Sequence, residues 1–187
     1  MEFHVSHDPN DDTGSLLSQE AVLDYGWRMF DHLTDQIQNA DTKASLILGV
    51  DAFLLGTLAA LIAERFKSLP GYHYMLVEVL SASLLGLALL TLGTSVYFAL
   101  LATRPSMKRA TDGGLFYFSM IRAIPSESFI ERFEMMTPHQ VRHDLLAQVH
   151  TLAGITQRKF QRNAISLNLL LASLLLWSLA EILTIFG

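Results

Sequence analysis

Gln38-Asn39-Ala40-Asp41-Thr42-Lys43-Ala44-Ser45 leads directly into an apolar run that ends at Ala63. A helix of about 20 residues spans about 30 Å, the hydrocarbon thickness of a bilayer, so Ala44 to Ala63 is long enough to cross a membrane. One carboxylate, Asp51, interrupts the run. A charge is costly in lipid and normally faces other helices or water, so Asp51 needs a partner and is the intramembrane candidate for function.

Two more apolar blocks follow, Val79 to Leu101 and Ala164 to Phe186, and the charges lie between the blocks. With 187 residues, 51% of them apolar, and a mean hydropathy of +0.34, the chain reads as an all-α membrane protein. It has three transmembrane helices with long helical cytosolic stalk extensions. The expected divisions are a mobile acidic tail over 1–17, a stalk helix over 18–43, spans over 44–63, 79–101 and 164–186, and a cytosolic segment over 102–163. No short apolar core lies near Met1, so the first span is expected to act as its own insertion signal. The chain has no cysteine, which excludes disulfides and Cys-ligated metal. Its net charge of −5 hides an acidic N-terminus set against Arg158, Lys159 and Arg162 just before the last span.

Orientation follows from Lys and Arg near the span ends. Arg104, Lys108, Arg158, Lys159 and Arg162 flank the middle segment, whereas the first connection holds only Arg65 and Lys67. The positive-inside rule then makes the N-terminus and the middle segment cytoplasmic.

From Ser18 a helical pattern runs unbroken into the membrane. Gly26, Phe30, Leu33, Ile37, Ala40, Ala44, Ile47 and Asp51 recur at alternating spacings of four and three, the period of a coiled-coil seam. Gly49, Gly56 and Ala63, and then Gly86 and Gly93, recur every seven residues. Small residues let backbones approach, so this spacing serves packing within one chain or an oligomer seam around Asp51. Pro70-Gly71 marks a turn, making spans one and two a hairpin. Glu78 and Glu181, near the outer span ends, are expected at headgroup level. A short helix is expected from Ser126. Thr137-Pro138-His139-Gln140 has the makings of a capping box. The apolar face Val141, Leu145, Val149, Leu152, Ile155 then predicts a second stalk helix, continuous with the last span and packed on the first.

Catalytic signals are weak. His139 and His143 lie one turn apart, but His150 is too far along the axis to share a metal and residues 140–142 lack the metalloprotease Glu, so no metal and no cofactor is assigned. No phosphate loop, nucleophile elbow or carboxylate pair is present, which argues against an enzyme. The basic residues Arg122, Arg132, Arg142, Arg158, Lys159 and Arg162 suit phosphate, although topology already accounts for the last three.

Three blocks carry a family resemblance: Asn39 to Ala52, Gly114-Leu115-Phe116-Tyr117-Phe118, and Gln148 to Lys159, each set against a span. Together they resemble the membrane effector of Pycsar antiphage systems over about residues 20–187. The most specific element is Ala-Asp-Thr-Lys-Ala-Ser at the mouth of the first span, which singles out Asp41 and Lys43. The resemblance implies an effector in the bacterial inner membrane. It also implies that a neighbouring pyrimidine cyclase supplies cyclic CMP or cyclic UMP and that the effector answers by impairing that membrane.

The sequence shows no separate soluble cyclic-nucleotide domain, so the stalk itself is expected to meet the ligand. Arg122 and Arg142 are the candidates for its phosphate, and Phe116 or Tyr117 for its base. The expected partners are the nucleotide, the bilayer and further copies of the chain, with no nucleic acid. A membrane anchor that docks a soluble partner without permeabilising anything is the competing function. An intramembrane enzyme using Asp51 is weaker, because no second catalytic group is placed at its depth.

Overall fold

The computed structural model describes residues 19–67, 76–105, 121–122 and 124–186. The tail over 1–17, the Pro70-Gly71 turn, and Phe116 and Tyr117 with their aromatic block lie outside the described residues. The described residues include four helices with defined bounds, α1 (Gln19–Lys67), α2 (Leu76–Thr103), α3 (Ser126–Glu134) and α4 (Pro138–Phe186). Among the described residues there is no strand. α1, α2 and α4 are each long and apolar enough to cross a membrane.

α1 and α4 each run 49 residues without a break. At 1.5 Å per residue each is about 73 Å long, more than twice the apolar thickness, so each extends well beyond it as a stalk. The start of α4 is fixed by a capping box. The Thr137 N–H donates to Gln140 Oε1 over 2.8 Å, and the Gln140 N–H donates back to Thr137 Oγ1 over 3.3 Å. Pro138 stands at the first helical position, where a missing N–H costs nothing. α2 ends before Arg104-Pro105, since proline biases the residue before it out of the helical region.

α1 and α4 run parallel and nearly in step. Gly26 faces Leu145, Asp41 faces Lys159, and Arg65 faces Glu181. The first of these contacts shows the two helices packed together in the stalk. A Cβ added at Gly26 would lie 2.9 Å from Leu145 Cδ2, so glycine sets how closely the helices approach there. The seam from Gly26 through Ala40 and Ala44 to Asp51 is buried at those positions and continues to Leu58.

α2 runs antiparallel to α4. Its buried residues, Ser81, Leu85, Ala88, Leu92, Ser95, Ala99 and Ala102, alternate at four and three. Small partners meet at every seventh residue of this pair, and each contact carries a hydroxyl-to-backbone hydrogen bond. Ser81 Oγ donates to the Ala180 carbonyl at 3.3 Å, Ser173 Oγ to the Ala88 carbonyl at 3.0 Å, and Ser166 Oγ to the Ser95 carbonyl at 2.9 Å. Lipid offers no hydrophobic force to press helices together, so close small-residue contact and such bonds hold the pair.

Apolar side chains form a core of Leu58, Leu85, Ala88 and Ala180, flanked by Ile62 and Trp177, toward the α1–α2 connection. Leu46, Phe53, Leu90, Tyr97 and Leu175 point outward, as lipid-facing residues do. Among the described residues the glycine repeats are not packed against another helix of the chain. An added Cβ at Gly49, Gly56, Gly86 or Gly93 would meet nothing within 4 Å, because the inner face of each helix is taken by the seam residues.

Candidate functional site

Apart from the Ser173–Ala88 bond, the polar contacts between α1, α2 and α4 fall into three layers along the bundle. The first lies at the mouth, where the stalk enters the apolar part. Asp41 on α1 pairs with Lys159 on α4. The lysine is 6% exposed, whereas the Asp41 side chain is 41% exposed, so the cation is inside and its counter-ion is on the rim. One turn further on, the buried Asn163 donates from Nδ2 to the Ala40 carbonyl at 2.7 Å. Ala40 and Ala44 are fully buried, and their small side chains let an amide from α4 reach the α1 backbone. Lys43 lies over the Phe160 ring, 5.3 Å from its centroid, within cation–π range. Arg162 Nη1 donates to the Leu101 carbonyl at 2.6 Å. That carbonyl is in the last turn of α2, where helix carbonyls lack intrahelical partners, so Arg162 caps α2.

The second layer is deeper. Asp51 is fully buried, and its Oδ2 accepts from Ser95 Oγ at 2.9 Å. The same Ser95 oxygen lies 2.9 Å from the Ser166 carbonyl and 3.0 Å from Ser166 Oγ, so one hydroxyl joins all three spans. Asp51 Oδ1 has no hydrogen-bond partner among the described residues, and neither has Asn163 Oδ1. Each is a buried acceptor left open, at a cost on the order of 1–3 kcal/mol.

The third layer is near the α1–α2 connection. Arg65 donates to Glu181 at 2.9 Å and to Ser81 Oγ at 2.8 Å, and Trp177 Nε1 donates to the other Glu181 oxygen at 3.2 Å. Glu181 is therefore held by an arginine and an indole within the chain, whereas Glu78 is exposed.

Asp41 and Lys43, singled out by the motif, both contact α4, at the adjacent residues Lys159 and Phe160. The structure thus brings the Asn39–Ala52 block and the end of the Gln148–Lys159 block together at one level. Of the stalk candidates, Arg142 is half-buried and lines an open groove of about 230 Å³ with Glu20, Leu23 and Pro138. Arg122 is exposed and is not among the residues lining it. Glu20 in that groove opposes a bound anion.

Sequence reasoning does not single out Ser95, Ser166 or Asn163, and it explains Lys159 by topology alone. A signal exists for Lys159 and Ser166, which recur with Ser173 every seven residues, and a weaker one for Ser95, fourteen residues after Ser81. Among the described residues no group of three His, Asp or Glu is gathered as a metal site would require. Chemically the layers offer carboxylates, hydroxyls and cations paired to one another across helices.

A family model described as the Pycsar effector protein domain matches residues 25–184. No curated protein and no solved structure matches the chain.

Proposed function

The chain belongs to the Pycsar effector family, and from that membership we propose that it senses a cyclic pyrimidine mononucleotide in the cytosol and answers by impairing the bacterial inner membrane. The N-terminus and the segment between α2 and α4 are on the cytosolic side, because Arg104, Arg158, Lys159 and Arg162 flank the apolar blocks there. The cyclic CMP or cyclic UMP comes from a partner cyclase, and the effector acts as a homo-oligomer without catalysing a reaction.

The observation that carries this reading is the continuity of α1 and α4. Each is one helix from stalk to far end, the two are packed at Gly26 and Leu145, and they are joined again at Asp41 and Lys159. A ligand that changes the stalk pairing moves two spans as rods, provided it binds the active arrangement more tightly than the resting one. Arg122 and Arg142, with Phe116 or Tyr117, are the proposed contacts for its phosphate and base. Asp51 is the intramembrane residue on which the lesion depends.

The test has two parts. Purified protein is titrated calorimetrically with cyclic CMP, cyclic UMP, cyclic AMP and cyclic GMP, and membrane potential is followed in cells expressing the protein with an active cyclase. Binding of a pyrimidine nucleotide together with depolarisation is expected. Binding of none of the four sinks the effector reading, and an intact potential favours a non-permeabilising anchor. Pyrimidine binding that survives Arg122→Ala and Arg142→Ala sinks the site assignment alone.

A further inference from the structure

Asn168 lies within the apolar part of α4 and is exposed on its outer side. Other outward hydroxyls of the spans are satisfied by their own helices. Ser45, Thr57, Ser83, Thr94 and Ser178 each donate to the carbonyl four residues back. Asn168 makes no such bond and has no hydrogen-bond partner among the described residues. An amide left open toward hydrocarbon is costly, and asparagine in a span characteristically bonds across to another helix.

The depth of Asn168 identifies what it meets. Asp51 and Ser166 share the Ser95 hydroxyl, and Arg65 meets Glu181, so α1 and α4 are level and Asn168 is level with Ala52. Copies of one chain inserted the same way differ only by rotation about the membrane normal, so Asn168 of one copy is also level with Ala52 of any other. Around Ala52 the outward face of α1 carries Ser45, Gly49, Ala52, Gly56, Ala59 and Ala63, all exposed and all small. Gly49 and Gly56 leave the α1 backbone open there.

We propose that α4 of one copy packs on this outward face of α1 in the next, with the Asn168 amide bonded to the neighbour's α1 backbone around Ala52. The proposal deepens the reading of the chain as a self-associating membrane effector and rests on its membrane part. The two surfaces differ, so the contact is head-to-tail and repeats around a ring.

Two forms of the cysteine-free chain, distinguishable by size, are co-expressed with Ala52→Cys in one and Asn168→Cys in the other, and membranes are oxidised. A mixed-size dimer is expected, and one chain carrying both substitutions should give a ladder beyond dimer. Linking of Ala52→Cys chains only to each other would mean a two-fold α1 contact and overturns the proposal, as does no linking in either experiment. Mass in mild detergent is the second measurement. Asn168→Leu should reduce the assembly to monomer while Asn168→Gln keeps it, and an assembly unchanged by Asn168→Leu overturns the amide's role. Neither measurement uses nucleotide or membrane potential. A ladder in cells whose potential stays intact supports this contact and counts against the effector reading.

Discussion

Lys159 is buried between α1 and α4, and its carboxylate partner Asp41 is on the open side of the same junction. The two residues are therefore unequal. Removing Asp41 strands a buried cation, whereas removing Lys159 leaves a carboxylate that water can reach.

Asp41→Asn should accordingly destabilise more than Lys159→Met. A loss of about 1–3 kcal/mol is expected for Asp41→Asn, below the usual figure for a broken buried pair because Asp41 is partly solvated. Thermal unfolding in detergent measures it. The exchanged pair Asp41→Lys with Lys159→Asp should recover part of the loss, and an Asp41→Asn variant as stable as the parent would show that the pairing contributes nothing.

Asp51→Leu should abolish toxicity in cyclase-expressing cells while the protein still inserts. Asp51→Asn keeps an oxygen for the Ser95 hydroxyl and should retain more of the response. The readouts are membrane potential and the amount of protein in the membrane fraction. A toxic Asp51→Leu variant with unchanged assembly makes the carboxylate dispensable.

At Gly26 two effects compete. Alanine gains up to about 1 kcal/mol of helix propensity but brings its Cβ 2.9 Å from Leu145 Cδ2, the tip of a buried but flexible side chain that must shift, so the two effects offset and Gly26→Ala should be near neutral. Gly26→Leu has no such escape and should cost about 1–3 kcal/mol by overpacking. Insertion should survive and the response to nucleotide should not. Equal stability of the two variants in a denaturation series would mean that the stalk helices are not in close contact.

Topology can be read with single cysteines, since the parent has none. Cysteines at Lys43, Ser106 and Arg158 should be protected from an impermeant thiol reagent in intact cells, and those at Ser68 and Gly187 should label. The opposite pattern reverses the orientation.

The seam of α1 is legible in the sequence because Gly26, Ala40, Ala44 and Asp51 share one face of a helix whose period is fixed by geometry. The reach of the two stalk helices is legible for the same reason, and so is the capping box of α4. What the seam packs against is not. Hydroxyls show why: in an apolar span Thr57 or Thr94 satisfies itself on its own helix, whereas Ser95 and Ser166 bond across helices, and the residue chemistry is the same in both settings. Arg158 and Lys159 pose a similar problem. Adjacent cations are equivalent to a charge count, and only the phase of α4 against α1 turns Lys159 inward.

The polar ties also divide by where their partners stand in the chain. Asp51 and Arg65 have partners, Ser95 and Ser81, within the hairpin of α1 and α2. Asp41 and the Ala40 carbonyl wait for Lys159 and Asn163, and Arg65 waits for Glu181, all supplied by the helix synthesised last. A hairpin of α1 and α2 alone holds no partner for Asp41 or for the Ala40 carbonyl of the kind α4 supplies. The final helix supplies the partner for each remaining tie, so the three-helix polar network is complete only with α4 in place.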